Sequence, residues 1–305
     1  MTAPWPKLVI SAGRRNELVA LWIKRRSPST RVVHIGRPWC NPQRFDLIIA
    51  TTQYQLAGFS NVLVNDLPLH KIDPPTLAAA RIRWQSTFGL LAQPRTVLLL
   101  GGNSGGYVLD GTQATRMAKA LERFSDGSLV ISSSRRTPKA FLDTLLAHIR
   151  TPDLIYRWGE EGDNPYLGLL AWADRIVVTE DSASMTAEAI AAGAQVFIAD
   201  IDSAAPEDGT AWWQHLSNFA WKPLSHRLAM KFAPQRFHRS VRRFHHNLAA
   251  ADRVQWLAEN TPNPTVPAGS GRAADGRRSH GLSGEAAPGH GDLERSVIAV
   301  QQLLH

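Results

Sequence analysis

The sequence predicts an α/β protein made of two Rossmann-like domains and a C-terminal helical segment. Short apolar runs typical of buried strands alternate with helical patterns along most of 7–200. Strands that alternate with helices form parallel sheets, because each helix carries the chain back to the start of the next strand. The length of 305 residues also favours two domains. We expect an N-terminal, acceptor-side domain at 1–90, a second, ligand-binding domain at 91–225 and a third region at 226–305.

The composition is that of a globular protein whose surface attracts anions. Hydrophobic residues make up 44% of the chain and charged residues 20%, and the formal net charge is +8. A positive surface favours phosphates, nucleic acid or acidic lipid without choosing among them. The single cysteine, Cys40, excludes a disulfide framework and a cysteine-based metal site, and it fits a reducing compartment. Since neither a secretory signal nor an apolar run of membrane-spanning length is visible, we expect a cytoplasmic location.

The N-terminal domain is predicted to contain four short strands. Lys7–Ser11 (KLVIS) is an apolar run typical of a buried strand. A helix predicted at 16–26 follows it, with Leu18 and Leu21 on one face. Four strands are few for a Rossmann-like sheet, so we expect this domain to be truncated, without an opening strand and helix. The other predicted strands are 32–35, 47–50 and 62–64.

The second domain has a more regular alternation. Asp110 is suited to cap the helix predicted at 110–124, in which apolar residues recur at helical spacing. In parallel sheets the ligand lies beyond the carboxyl ends of the strands, where the strand order reverses. The residues that follow each strand are therefore the binding candidates. Strands are predicted at 97–100, 129–132, 154–156, 176–179 and 196–199, and further helices at 138–149, 166–173 and 182–192.

The third region combines basic helices, a linker and a closing helix. We predict one or two basic helices within 226–258 and an amphipathic helix at 292–305. The stretch 261–291 is rich in Pro, Gly, Ser and Ala, and we predict a disordered linker because it has too few apolar residues to form a core.

Basic residues are interleaved with phenylalanines across 222–247. We favour a solvated helix with salt bridges over contact with an anionic membrane surface, and nucleic acid is the partner that we favour least. The histidines of this stretch match no metal-binding spacing. The phenylalanines are Phe232, Phe237 and Phe244.

The first candidate binding segment is the glycine-rich stretch 98–110 (LLLGGNSGGYVLD). Glycines allow the backbone to approach a phosphate closely, and the N-terminus of the following helix adds a partial positive charge. The spacing is neither a dinucleotide-binding fingerprint nor a Walker A loop, so a tight turn between strand and helix is the alternative. The candidate residues are Gly101, Gly102, Asn103, Ser104 and Gly105.

Two further strand ends carry side chains suited to a nucleotide. The stretch 130–139 (VISSSRRTPK) offers Ser133 and Arg135 to phosphate oxygens, with a solvated basic loop as the alternative. The strand end that follows 154–156 offers Tyr156 and Trp158 to a nucleobase by stacking, with ordinary aromatic packing as the alternative.

The sharpest signal is the stretch 176–200 (IVVTEDSASMTAEAIAAGAQVFIAD). A predicted buried strand is followed by two acidic residues and a serine, which stand at the start of a helix of small residues. The free N–H groups at such a helix start favour an anion such as a diphosphate. Glu188, two turns into the helix, is a candidate for ribose hydroxyls because an acid among alanines suggests a function. Otherwise the first residues are helix caps and Glu188 is a surface charge. The candidate residues are Glu180, Asp181, Ser182, Ser184, Met185 and Glu188.

Several of these motifs together resemble a known family. They are SAGRR (11–15), IGRP (35–38), RFDLIIA (44–50), NVLV (61–64), LLLGGNSGGY (98–107), SSSRR (132–136) and, most specifically, VVTEDSASMTAEA (177–189). The chain resembles the mitochondrial-fission (elongated-mitochondria) family, whose bacterial branch is described as glycosyltransferases of GT-B-like fold. The family is similar in architecture to the GT-B enzyme that adds N-acetylglucosamine to the peptidoglycan lipid intermediate. The resemblance implies nucleotide-sugar binding by the Gly101–Gly106 loop, Arg135 and the Ser182–Glu188 segment.

The functional hypothesis is a metal-independent glycosyltransferase that uses a nucleotide-diphosphate sugar. We expect a role in cell-envelope glycan synthesis, with a lipid-linked acceptor at the inner membrane surface and a peripheral membrane location. A non-catalytic scaffold protein and a nucleotide-sugar epimerase are the alternatives. No cofactor and no metal site are expected, since Asp200-Ile201-Asp202 is better explained as a strand end. The catalytic residue is unidentified, with His34 and His70 as candidates for the general base.

Overall fold

A computed structural model confirms the α/β class and the two parallel sheets. The structure describes residues 4–104, 106–201, 239–257 and 290–304. These residues divide by their mutual contacts into two units, each with its own sheet. The predicted linker lies outside the described residues up to residue 289. The first unit comprises 4–70, 239–250 and 290–304, and the second comprises 71–104, 106–201 and 251–257.

The sheet of the first unit is parallel, with the strand order β1-β2-β3-β4. Alternate side chains of its strands point to opposite faces. Val32 and Ile48 pack with α1, whereas Val33 and Ile49 pack with α9. The elements are β1 (Leu8–Ala12), α1 (Arg14–Arg26), β2 (Arg31–Ile35), β3 (Leu47–Thr51), β4 (Val62–Asn65), α8 (Val241–Ala250) and α9 (His290–Gln302).

Polar contacts fasten α9 to the end of β4. The Leu67 N–H donates to Asp292 Oδ2 over 2.8 Å, and Asn65 Nδ2 donates to Ser296 Oγ over 3.0 Å. All of these groups except the Leu67 amide belong to side chains that are buried. The C-terminal helix is therefore an integral layer of the first unit.

The described part of the basic segment 226–258 contains a helix, as predicted. Its described helix, α8, buries Val241, Phe244 and Leu248 in the first unit. The alternative in which Phe244 contacts an anionic membrane surface does not fit the structure, because this residue is 0% exposed. The other two phenylalanines of that alternative lie outside the described residues. In the part of the chain that the structure describes, every helix falls short of the length and apolar character that crossing a membrane requires.

The sheet of the second unit is parallel, with the order β10-β9-β8-β5-β6-β7. Its central strands are buried along their whole length, as is typical of a parallel sheet covered on both faces. The strands are β5 (Arg95–Leu99), β6 (Ser128–Ser132), β7 (Leu154–Tyr156), β8 (Arg175–Thr179), β9 (Gln195–Ala199) and β10 (Gln255–Leu257). The prediction of helix for Gln255–Leu257 is therefore wrong.

The strand order of this sheet reverses between β5 and β8. From β5 the chain proceeds to β6 and β7 on one side, and it then returns to β8 on the other side of β5. A crevice between the carboxyl ends of these two strands is where doubly wound folds bind ligands. The helices of the second unit are α2 (Pro74–Arg83), α3 (Gln85–Phe88), α4 (Gly111–Leu121), α5 (Lys139–His148), α6 (Tyr166–Trp172) and α7 (Ala183–Ala191).

Two helices of this unit were not predicted from the sequence. Asp73 accepts a hydrogen bond from the Thr76 N–H over 2.8 Å and Pro74 occupies the first position, so α2 begins with a common helix-start signal. It packs against α6, where Trp172 Nε1 donates to the Arg81 carbonyl over 3.0 Å. Because of these contacts, residues 71–90 group with the second unit, while the sequence analysis places them in the N-terminal domain.

Candidate functional site

One buried carboxylate, that of Asp181, joins the ends of β5 and β8, where the strand order of the second unit reverses. The Gly102 N–H donates to Asp181 Oδ2 over 3.0 Å, and the Thr179 hydroxyl donates to Asp181 Oδ1 over 2.7 Å. The Gly101 N–H in turn donates to Thr179 Oγ1 over 2.7 Å. The Asp181 side chain is 0% exposed. We call the ends of β5 and β8 with the start of α7 (residues 101–102 and 179–185) the switch-point site.

The two glycines after β5 are required by contacts within the protein. A Cβ atom on Gly101 would lie 2.2 Å from Asp181 Oδ1, and one on Gly102 would lie 2.1 Å from the Arg136 carbonyl oxygen. Real Cβ atoms do not approach other atoms so closely, so only glycine fits at either position. From the sequence, these glycines are predicted to allow close approach of a phosphate. The structure shows close approach to the neighbouring loops.

The loop after β6 packs on the same glycines. Ser134 Oγ donates to the Gly101 carbonyl over 2.6 Å, and Arg136 NH2 donates to Asp181 Oδ2 over 3.2 Å. Arg135 is exposed beside them. Both arginines are exposed, but Arg136 contacts Asp181, whereas Arg135 is left as the candidate to bind an anion.

The glycine-rich loop forms hydrogen bonds within itself before α4 begins. The Leu109 N–H donates to Asn103 Oδ1 over 2.9 Å, and the backbones of Ser104 and Tyr107 form an isolated bridge. The helix α4 starts only at Gly111, capped as predicted by the residue before it. Its N-terminus is thus separated from the glycines by a folded loop. Gly105 lies outside the described residues.

Glu180 is buried beneath this loop. The Tyr107 hydroxyl donates to Glu180 Oε1 over 3.0 Å, and the Ile201 N–H donates to Oε2 over 3.3 Å. Glu180 and Asp181 were both predicted to meet the ligand. In the structure their carboxylates join β8 to neighbouring loops.

The exposed part of the site is the first turn of α7. Ser182 caps the helix by accepting from the Met185 N–H over 3.4 Å, and Ser184 is exposed at the second helical position. The first N–H groups of a helix have no intrahelical partner, and they carry the positive end of the helix dipole. Gly193, with a φ of 75°, ends the helix region. This turn is suited to bind an anion.

Glu188 is half-buried rather than a fully exposed surface charge. The Tyr166 hydroxyl donates to Glu188 Oε2. Burial raises the pKa of Glu188 above its ordinary value, and the hydrogen bond from Tyr166 only partly offsets this effect. Burial, followed by the charge of Glu188, raises the pKa of Tyr166. Tyr166 was not a predicted site residue, because nothing in the sequence links the first residue of α6 to α7.

The raised pKa of Glu188 predicts a pH-dependent effect of Glu188→Gln. The folded protein binds the proton more tightly than the unfolded chain, so the wild type gains stability as the pH falls through the folded pKa toward 4.5. Glutamine still accepts from Tyr166 but does not titrate. We expect the free energy of unfolding of Glu188→Gln relative to wild type to be highest at pH 7 and to decline toward pH 4.5. Urea denaturation at several pH values measures this difference. Glu160→Gln, at an exposed position, controls for the lost charge, and a pH-independent difference would contradict the prediction.

The predicted base-stacking residues meet at the ends of β6 and β7. The Trp158 N–H donates to Ser133 Oγ over 2.9 Å, and the Ser133 N–H donates to the Tyr156 carbonyl over 2.9 Å. The Trp158 side chain is 53% exposed, so its ring is available for stacking. The structure thus brings these three residues together.

The two histidine candidates for the general base differ in their exposure. His34 is fully buried on β2, with Nδ1 3.0 Å from Ser11 Oγ and its ring against Phe45. Burial lowers the pKa of His34, which is therefore a neutral core residue. His70 is half-buried. Among the residues that the structure describes, there is no group of three or more His, Cys, Asp or Glu side chains suited to a metal ion.

The sequence is similar to that of a described family and of two curated proteins. It matches the family described as Mitochondrial fission ELM1 over residues 1–268. It is 28% identical to Mitochondrial fission protein ELM1 of Arabidopsis thaliana, over 65% of this chain and 52% of that protein. It is 25% identical to Uncharacterized protein RP120 of Rickettsia prowazekii (strain Madrid E), over 63% of this chain and 64% of that protein. The chain spans between half and two thirds of the length of these relatives.

The chain is also similar to solved structures at low sequence identity. One is UDP-GlcNAc 2-epimerase from Methanocaldococcus jannaschii, with a TM-score of 0.41 and 14% identity over 80% of this chain and 77% of that one. Another is ADP-heptose lps heptosyltransferase II of E. coli, with a TM-score of 0.33 and 11% identity over 64% of this chain and 84% of that one.

Proposed function

The chain belongs to the Mitochondrial fission ELM1 family, and we propose that it is a glycosyltransferase that binds a nucleotide-diphosphate sugar at the switch-point site. The observation that carries the proposal is the exposed first turn of α7, beside the strand switch of a parallel sheet. Ser184 is exposed in this turn, and an N–H group at this position of a helix has no intrahelical partner. Such a turn binds phosphate groups in many nucleotide-binding folds.

The surrounding contacts keep this turn in a fixed position. Asp181 joins the α7 side of the switch to Gly102, and Ser134 joins the β6 loop to Gly101. A preorganised set of donors stabilises charge that develops during a reaction, because the donors do not have to reorient. In a transfer reaction the charge develops on the leaving nucleoside diphosphate. Arg135, exposed in the same loop as Ser134, adds a positive charge for this group.

The nucleoside would bind at a different position from the diphosphate. The exposed indole of Trp158, next to Tyr156, offers a flat surface for a base at the ends of β6 and β7. Glu188 is half-buried behind the α7 turn, and its second oxygen remains a candidate for ribose hydroxyls while Oε2 accepts from Tyr166. Replacement of Glu188 would also disturb Tyr166, so a test of binding is better placed on the exposed turn.

Ser184→Glu tests the diphosphate position without disturbing the fold. A carboxylate in the first turn should stabilise α7 slightly while repelling an anionic ligand from the same N–H groups. We expect an unchanged or slightly higher Tm and at least about tenfold weaker binding of the nucleotide sugar, which corresponds to about 1.4 kcal/mol. Calorimetry with UDP, GDP, CDP and ADP and their common sugars measures the affinity. Ala140→Glu, also exposed at the second position of a helix, is the matched control.

The pattern of binding separates the candidate functions. We expect one nucleotide to bind selectively. Ser184→Glu should abolish this binding, and Ala140→Glu should retain it. Equal binding by both variants would rule out the α7 turn as the diphosphate site. Absence of binding to every nucleotide would favour a scaffold protein, and release of an altered free sugar without an acceptor would favour an epimerase.

A further inference from the structure

The first unit contains a cavity that is separate from the switch-point site. It has a volume of about 530 Å³ and lies at the carboxyl ends of β3 and β4, beside α8. Sites for small molecules usually have volumes of roughly 300–1,000 Å³. The residues that matter here are Thr52, Leu56, Phe59, Arg243 and Asn247. The cavity therefore has the size of a small-molecule site.

A buried glutamine fixes the walls of this cavity. Gln53 Nε2 donates to Thr51 Oγ1 over 2.9 Å, and the Gln53 carbonyl accepts from the Ser240 N–H over 2.9 Å. Arg239 Nε donates to Gln53 Oε1 over 3.1 Å. These bonds join the loop after β3 to the start of α8, so the cavity is formed before any ligand arrives.

The polar lining of the cavity has hydrogen-bonding capacity that the protein leaves unused. Arg243 and Asn247 lie one turn apart on the exposed side of α8, and Arg243 forms no ion pair with a carboxylate in the described part of the chain. Thr52 Oγ1 is buried and, among the described residues, has no hydrogen-bond partner. An unpartnered buried hydroxyl is unfavourable for folding, and a polar ligand would satisfy it.

The rest of the cavity wall is apolar. Leu56 is buried and Phe59 is half-buried, and both belong to the apolar cluster between α1 and the first sheet. A guanidinium, a hydroxyl and an amide from three separate positions match the three terminal oxygens of a phosphate monoester. We propose that the cavity binds a phosphate monoester with an apolar body, which contacts Leu56 and Phe59. This site lies in the other unit and does not depend on the nucleotide-sugar proposal.

Calorimetry on the full chain with hexyl phosphate, inorganic phosphate and hexanol tests the proposal. We expect hexyl phosphate to bind most tightly, since only it engages both the polar and the apolar walls. Arg243→Gln should weaken its binding at least about tenfold, because a charge-assisted hydrogen bond is lost. Arg242→Gln removes the same charge from a neighbouring exposed position outside the cavity lining and should change the affinity less than about twofold.

Thr52→Val separates ligand binding from a structural role. Valine has nearly the same shape and lacks the unpartnered hydroxyl, so the Tm without ligand should stay constant or rise. The affinity for hexyl phosphate should nevertheless fall. Equal affinities of wild type, Arg243→Gln and Arg242→Gln, or no binding of hexyl phosphate, would overturn the proposal.

Flotation with vesicles that contain phosphatidic acid identifies the source of the phosphate. If the wild type and Arg242→Gln float with the vesicles and Arg243→Gln does not, the cavity binds a lipid headgroup. Binding of hexyl phosphate without flotation would assign it to a soluble ester. Both results support the shared chemistry, and failure of both assays would contradict it.

Discussion

Replacing Gly102 by alanine should lower the free energy of unfolding of the second unit by about 3 kcal/mol, at the upper end of the cost of overpacking a core. The added Cβ would lie 2.1 Å from the Arg136 carbonyl oxygen and 2.2 Å from its carbonyl carbon. Both atoms belong to backbone, so no side-chain rotation relieves the clash. Separation of the β5 and β6 loops would also break the Gly102–Asp181 hydrogen bond. Urea denaturation followed by circular dichroism measures the change.

Gly58→Ala is the control for this substitution. Among the described residues, no atom lies within 4 Å of the position that its Cβ would take, and its φ is not in the left-handed region. We expect it to change the free energy of unfolding by no more than about 0.5 kcal/mol. If Gly102→Ala were as mild as Gly58→Ala, the packing of the two loops described above would be wrong.

Asp181→Ala should destabilise the second unit by about 3 kcal/mol, because it leaves buried donors without an acceptor. The donors are the Gly102 N–H and the Thr179 hydroxyl, both at the strand switch. The contact with Arg136 adds less, since that guanidinium is 42% exposed and partly screened by solvent. Chemical denaturation gives the value. Asp163→Ala, which breaks an exposed ion pair with Arg83, should change stability by less than about 0.5 kcal/mol.

A double-mutant cycle with Gly101→Ala sharpens this prediction. The Cβ of the alanine would meet the Asp181 carboxylate at 2.2 Å, so removal of the carboxylate also removes the clash. We expect the double variant to be more stable than the sum of the single effects by at least about 1 kcal/mol. Strict additivity would show that the two residues do not compete for the same space.

The regular part of the fold was predictable from the sequence because its signals are local. The buried strands β5, β6 and β8 are apolar runs, and Asp110 caps α4 as its position before an amphipathic pattern indicates. The short strand Gln255–Leu257 was missed because three residues show no alternation and follow a helix. Its pairing with β9 depends on a partner more than fifty positions away, which no local pattern contains.

The position of the candidate site was predictable, whereas the direction of its side chains was not. The motif 177–189 marks the strand switch in the sequence, and the structure places it there. The sequence does not reveal that Asp181 turns inward to Gly102, 79 positions earlier. Nor does it distinguish Arg136, which contacts Asp181, from the exposed Arg135. These choices follow from tertiary contacts between loops that are far apart in sequence.

The attachment of α9 to β4 determines the order in which the two sheets can be completed during synthesis. Leu67 and Asp292 are 225 positions apart, and Asn65 and Ser296 are 231 apart. The strands β5 to β9, which all belong to the second sheet, follow one another along the chain. On a ribosome, the second sheet can therefore gain most of its strands while one face of the first still lacks its covering helix. That face carries Val33 and Ile49, and it stays open to chaperones or to misfolding until residues 290–304 emerge.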